Sequence, residues 1–288
     1  ESTFVDPYIS DEELQTKFKS NTKLVFGETL SNPSLKILDI EKFAKAAHKN
    51  GVPLIIDNTF PTPIFCRPFE WGADIVTHST TKYMNGSANS VGGVVVDSGN
   101  FDWTQYSEKY PGLTTPDETY HGTIYTESFG KGAYITKMTT NLMRDLGSIP
   151  SPQNSFYLGV GLETLHLRME RHFQNALAIA QHLEKHPRIA WVSFSGLEKD
   201  SQHELAKKYL PKGSCGVISF GIKGGREEAV KFMDSLRLAA IVTHVADTRT
   251  CVLHPASTTH RQMNDDELVA AGVSPRSEEH TSELQSHS

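Results

Sequence analysis

Two side chains stand out for where they fall. Asp57 directly follows the apolar run Leu54-Ile55-Ile56, and Lys82 follows Ile75-Val76-Thr77-His78 inside Ser79-Thr80-Thr81-Lys82. Open α/β sheets bind ligands at the carboxyl ends of their strands. An isolated Asp in that place is usually a turn or cap residue, and an isolated Lys is usually solvated. Hydroxyls beside a Lys suggest phosphate, but the glycine-rich cradle of a P-loop is absent. Taken together, the residues fit one chemistry. A lysine amine condenses with an aldehyde when its site leaves it partly deprotonated. The neighbouring hydroxyls can hold a phosphate on the same molecule. A carboxylate on the next strand can keep a pyridine nitrogen protonated, so that the ring draws electrons. The constellation is that of a pyridoxal 5'-phosphate site.

The elements around these residues must put both strand ends on one edge. Lys23-Leu24-Val25-Phe26 is a short apolar run. Asp39 reads as an N-cap, with Ile40, Phe43, Ala44 and Ala47 following at helical spacing and Gly51 as the stop. Pro53–Ile56 reads as a strand buried on both faces. Ile75–His78 and Val94–Val96 add two more strands. Strands joined by helical links predict a parallel sheet with right-handed crossovers. From Gly99 to about Pro152 the pattern loosens into what reads as a functional loop or a partner-facing surface. A long amphipathic helix is expected from about Gly159 to the stop at Pro187. After it come strands at 191–194 and 216–220, a helix at 226–236 and a strand at 239–242. The expected domain division is 1–152 for cofactor binding and 153–275 for a linking helix and a smaller α/β domain.

Composition narrows the function classes. The 288 residues carry 28 Lys+Arg against 34 Asp+Glu, a net charge of −6 that argues against nucleic acid as a partner. No apolar run approaches the roughly 18 residues of a membrane helix, and the N-terminus does not read as a signal peptide. Three scattered cysteines, Cys66, Cys215 and Cys251, suit buried thiols in a reducing, cytoplasmic setting. There are 13 histidines but no H-x-x-x-H pair enclosing a Glu, and no metal is expected. Glu1 is not read as a natural start.

Longer motifs carry a resemblance. Gly27-Glu28-Thr29-Leu30-Ser31-Asn32-Pro33, Ile56-Asp57-Asn58-Thr59-Phe60 and Thr77-His78-Ser79-Thr80-Thr81-Lys82-Tyr83-Met84-Asn85-Gly86 closely resemble the Cys/Met-metabolism family of pyridoxal-phosphate enzymes. Further matches are Gly92–Asp97, Pro111–Gly122, Arg144–Gly147 and His254–His260. They point to the branch of the family that uses O-acetylhomoserine. The resemblance implies the fold type I, aminotransferase-like α/β fold, here with an incomplete large domain plus a smaller C-terminal domain. It implies γ-replacement: O-acetylhomoserine with sulfide or methanethiol gives homocysteine or methionine and acetate. Cystathionine γ-synthase, γ-lyase and non-catalytic fragment readings stay open.

By the same resemblance Lys82 binds the cofactor covalently and later acts as the base, and Asp57 pairs with the pyridinium nitrogen. Ser79 and Thr81 contact the phosphate. Asn32 lies near the cofactor hydroxyl and the substrate carboxylate, with Glu28 supporting its loop; a plain turn at Asn32-Pro33 weighs equally. His244 falls near the substrate carboxylate, while His254 and His260 read as structural. The resemblance also implies a homotetramer. Relatives carry a phosphate-binding helix start, a ring-stacking Tyr and a Tyr/Arg pair upstream, and a carboxylate-clamping Arg downstream. On that ground the chain is expected to be a fragment that binds cofactor weakly and lacks γ-replacement activity. Arg276–Ser286 reads like a translated sequencing adaptor, so 276–288 is expected to be an artefactual tail that takes no place in a sheet, and Arg276 is not that Arg.

Overall fold

The computed structural model describes residues 1–255, 262–264 and 266–267, and for 225–226 and 279–285 the backbone alone. A short helix α1 (Asp11–Thr16) precedes β1 (Val25–Glu28), α2 (Ile40–Lys49), β2 (Leu54–Asp57), α3 (Thr62–Phe65), β3 (Ile75–Ser79) and β4 (Gly93–Asp97). These strands form one sheet in the order β1-β2-β3-β4. The first three are parallel, as the sequence predicts. The fourth is antiparallel to β3, which corrects the all-parallel expectation. The physical reason lies in the connection: 80–92 contains no crossover helix, so the chain turns at Lys82–Gly86 and returns beside β3.

α2 forms as its pattern predicts. The Asp39 carboxylate accepts from the Lys42 N–H, and Ile40, Phe43, Ala44 and Ala47 are buried against the sheet. Burying a side chain such as Phe43 contributes about 1.5–3 kcal/mol. The two-sided burial expected of β2 is incomplete. Leu54 and Ile56 are fully buried, whereas Ile55 and Asp57 are half-buried, because alternate side chains point to opposite faces.

The 99–152 segment is not an open loop. It is a chain of short turns: α4 (Pro111–Thr114), α5 (Tyr125–Phe129), α6 (Ala133–Lys137), a π-helical turn (Met138–Met143) and α7 (Arg144–Leu146). An aromatic cluster of Phe101, Trp103 and Tyr125 with Ile75 and Leu113 holds it to the sheet, which replaces the missing periodicity. The single long helix is two, α8 (Pro152–Glu163) and α9 (Leu165–Lys185), broken at Thr164.

The second sheet runs β5-β6-β9-β8-β7, from β5 (Ile189–Ser193), β6 (Val217–Lys223), β7 (Ala240–Ile241), β8 (Cys251–Leu253) and β9 (Glu279–Gln285), with α10 (His203–Tyr209) and α11 (Gly225–Ser235) between them. β9 corrects the expectation that the tail stays out of a sheet. It pairs antiparallel with both β6 and β8. Strand pairing is made by backbone N–H and C=O groups, and any non-proline sequence can offer these to a slot between two strand edges. One core joins the two sheets through Leu54 and Ile56, Met169 of α9, and Tyr209, Cys215 and Val217.

Candidate active site

The parallel register aligns Glu28, Asp57 and Thr77 as neighbours across β1, β2 and β3; Glu28 and Asp57 close their strands, while β3 runs on to Ser79. Beyond that row lies a cavity of about 170 Å³ lined by Glu28, Leu30, Asn32, Asp57, Thr59, Phe60, Lys82 and Val245. Asp57, Lys82 and Asn32, which the sequence singles out separately, therefore share one crevice.

Each is fixed locally. The Asp57 carboxylate accepts from the Thr59 N–H at 2.9 Å, and the Thr59 hydroxyl accepts from the Ser79 N–H at 2.8 Å. This short chain ties the end of β2 to the end of β3. Beneath it Asn58 is fully buried. Its amide accepts from the Thr29 hydroxyl and donates to the Cys66 carbonyl, both at 2.9 Å. The His78 ring bonds the Asn58 carbonyl through Nδ1 at 3.0 Å, so Nδ1 carries the proton. Burial is the main influence on His78 and holds its pKa down, favouring the neutral ring.

Glu28 supports the Asn32 loop, as expected: its carboxylate accepts from the Asn32 N–H at 3.3 Å. Burial raises the Glu28 pKa, and the charge of Asp57 raises it further. The loop is closed by the Leu30–Ile37 bridge and anchored from the second sheet, where the Ser219 hydroxyl donates to the Pro33 carbonyl at 2.7 Å. The plain-turn reading of Asn32-Pro33 is thus incomplete, because a distant strand holds the turn.

His244 comes to the same place through the chain next to Val245. Burial and then the charge of Lys82 lower its pKa. Its Nε2 is buried with no hydrogen-bond partner among the described residues, and lies 3.7 Å from the Asp247 carboxylate. Ser79 and Thr81 do not line this cavity. The Thr81 hydroxyl is engaged with Gly92, accepting from its N–H at 3.0 Å and contacting its carbonyl at 3.2 Å. His254 is buried, in keeping with a structural role, while His260 and Arg276 lie outside the described residues. Thr59, Phe60 and Val245 were not assigned from sequence. The first two sit in the quoted Asp57 motif, whereas Val245 gives no local signal.

This donor set fits pyridoxal phosphate. A carboxylate suits a ring nitrogen, an amine suits a carbonyl carbon, an amide suits a ring hydroxyl, and the buried His244 Nε2 makes no hydrogen bond among the described residues. Residues 1–276 match the family described as Cys/Met metabolism PLP-dependent enzyme. The homocysteine synthase of Schizosaccharomyces pombe is 47% identical over 262 residues, covering 91% of this chain and 61% of that protein. The O-acetyl-L-homoserine sulfhydrylase of Leptospira meyeri is 44% identical over 263 residues, covering 88% and 59%. A solved structure of a Campylobacter jejuni protein described as a putative O-acetylhomoserine (thiol)-lyase, with a pyridoxyl-lysine monophosphate, has a TM-score of 0.89. It is 35% identical, with coverage of 96% of this chain and 65% of that one. The chain spans about three-fifths of the length of the curated relatives it matches. With the parallel strand ends, the shared crevice and these matches in agreement, the chain belongs to the Cys/Met metabolism PLP-dependent enzymes and has their α/β fold type I architecture.

Proposed function

We propose that the whole protein, whose curated relatives this chain spans over about three-fifths of their length, exchanges the γ-substituent of O-acetylhomoserine for sulfide or methanethiol, releasing acetate and giving homocysteine or methionine. The observation that carries this reading is the crevice shared by Asp57, Lys82 and Asn32. When bound there, pyridoxal phosphate supplies an electron sink for the pair left on the substrate α-carbon. Asp57 holds a proton on the ring nitrogen by charge pairing. Lys82 would hold the cofactor's carbonyl carbon through Nζ, and the same amine would take the α-proton. Asn32 orients the ring hydroxyl and the substrate carboxylate. His244, kept neutral by burial and by Lys82, offers Nε2 to that carboxylate. Ser79 and Thr81 contact the phosphate; for Thr81 this requires sharing a hydroxyl now engaged with Gly92. The names of the relatives favour this reaction over cystathionine γ-synthase or γ-lyase chemistry.

The same reading includes division at about residue 152, a cytoplasmic location supported by three buried cysteines, and a homotetramer. Exposed Leu146, Ile149, Phe156 and Val160 support assembly, since apolar faces of this kind are covered in oligomers. Among the described residues no helix is long and apolar enough to cross a membrane.

The test is substitution at the two strand ends. In the whole protein, Lys82→Ala should abolish both turnover and the borohydride-fixed pyridoxyl label. Asp57→Ala should retain the label but lose α-proton exchange. A label retained in Lys82→Ala, or normal exchange in Asp57→Ala, refutes the assignment.

A further inference from the structure

The turn that carries Lys82 is gripped from outside the crevice by one side chain. The Arg168 guanidinium, reaching from α9, donates from Nη1 to the Tyr83 carbonyl at 2.7 Å. From Nη2 it donates to the Gly161 carbonyl at 2.7 Å and the Met84 carbonyl at 3.4 Å, and from Nε to the Thr164 hydroxyl at 3.0 Å. Arg168 thus joins the two residues after Lys82 to the break between α8 and α9. The side chain is half-buried, and no carboxylate pairs with it among the described residues. Its desolvation is offset by carbonyl dipoles on several sides, which a planar fork can satisfy together and a lysine ammonium cannot.

The backbone is shaped for this grip. Gly86 has φ +74°, and a Cβ there would stand 2.4 Å from Arg168 Nη1. A Cβ on Gly161 would stand 2.4 Å from the Asn85 carbonyl oxygen. The turn is closed internally by the Gly86 N–H to the Lys82 carbonyl at 2.8 Å and the Asn85 N–H to the Thr80 carbonyl at 3.2 Å. The Gly86 carbonyl in turn accepts from the Thr248 N–H at 3.0 Å, on the segment that follows His244. The glycine positions and the guanidinium fork converge on one short stretch, whose only reactive side chain is Lys82.

We propose that Arg168 is a positioning residue for Lys82: it locks the Lys82–Gly86 turn so that the amine is held in register with Asp57 across the crevice. The inference rests on the function proposed above. Without the fork, the turn relaxes and the amine loses its fixed approach to the cofactor's carbonyl carbon. Misplacement on the order of an ångström lowers a rate by up to about 100-fold.

The test compares wild type, Arg168→Lys and Gly86→Ala, the last disturbing the same contact from the opposite side. Circular dichroism first establishes that each is folded. Amide hydrogen exchange in the cofactor-free protein then reads the turn directly. Faster exchange is expected at Asn85 and Gly86 in both variants, with α2 unchanged. The rate at which Lys82 acquires a borohydride-fixed pyridoxyl label should fall on the order of 10- to 100-fold. In turnover by the whole protein kcat should fall while KM stays within about twofold, a split that general destabilisation does not produce. Unchanged exchange and labelling in folded Arg168→Lys would overturn the proposal. If wild type itself takes no label at Lys82, the proposed function fails, while the exchange arm still decides whether Arg168 locks the turn. If Arg168→Lys fails to fold, Gly86→Ala decides by the same readouts; unfolding of both would show a role in the whole fold and overturn a role confined to the turn.

Discussion

The bond from Ser219 to Pro33 gives a sharp test of how the second sheet serves the crevice. Ser219 is 2% exposed, Pro33 is buried, and the hydroxyl-to-carbonyl distance is 2.7 Å. Ser219→Ala removes the donor with almost no change in volume and leaves the Pro33 carbonyl short of this donor. A buried group left in that state costs about 1–3 kcal/mol, a sizeable part of a total stability of about 5–15 kcal/mol. The urea midpoint should therefore fall with an unchanged slope, and Tm should drop by a few degrees. Pro33 adjoins Asn32, so pyridoxal phosphate should also bind more weakly, by less than the tenfold that about 1.4 kcal/mol would give if all of it reached the ligand. Equilibrium titration of the cofactor alongside urea unfolding reads both effects. A double-mutant cycle with Asn32→Ala should show coupling in cofactor affinity. An unchanged unfolding midpoint would refute the energetic argument. A lowered midpoint with unchanged affinity would refute the link from the second sheet to the crevice.

Glu28→Gln should keep the contact with the Asn32 N–H while removing a carboxylate whose pKa is raised by burial and by Asp57. With the folded pKa above the unfolded one, wild type binds protons more tightly when folded and loses stability as pH rises through that interval. The variant should gain relative to wild type above the ordinary carboxylate range and lose that advantage in acid; urea melts across pH check it, and a pH-independent difference refutes it. The buried thiols should resist alkylation in the native state. Burial pushes Cys66 up to about 12 and Cys251 up to about 11, and Cys215 is fully buried. Only unfolding should expose all three to a thiol reagent at pH 8, and a fast-reacting thiol in the folded protein would contradict this burial.

Several features of this protein are local, and the sequence determined them by itself. Asp39 followed by Ile40, Phe43, Ala44 and Ala47 specifies α2 because a cap and a 3.6-residue period act within a few residues. Asp57 and Lys82 were legible because each closes an apolar strand, and parallel strands bring their carboxyl ends to one edge. The motifs around them were specific enough to imply the family. Tertiary structure alone decided the rest. Nothing local sets β4 antiparallel to β3, and nothing local breaks the apolar period at Thr164; there Gly161 must pack against the Lys82 turn. The polar sequence 279–285 shows no strand period, yet its backbone lies between two strand edges. His244, Ser219 and Arg168 reach the crevice or its supports from the far half of the chain. Periodicity reports which face of an element is apolar. It cannot report which distant carbonyl a buried hydroxyl or guanidinium will meet, because that pairing exists only after both halves have packed on a common core.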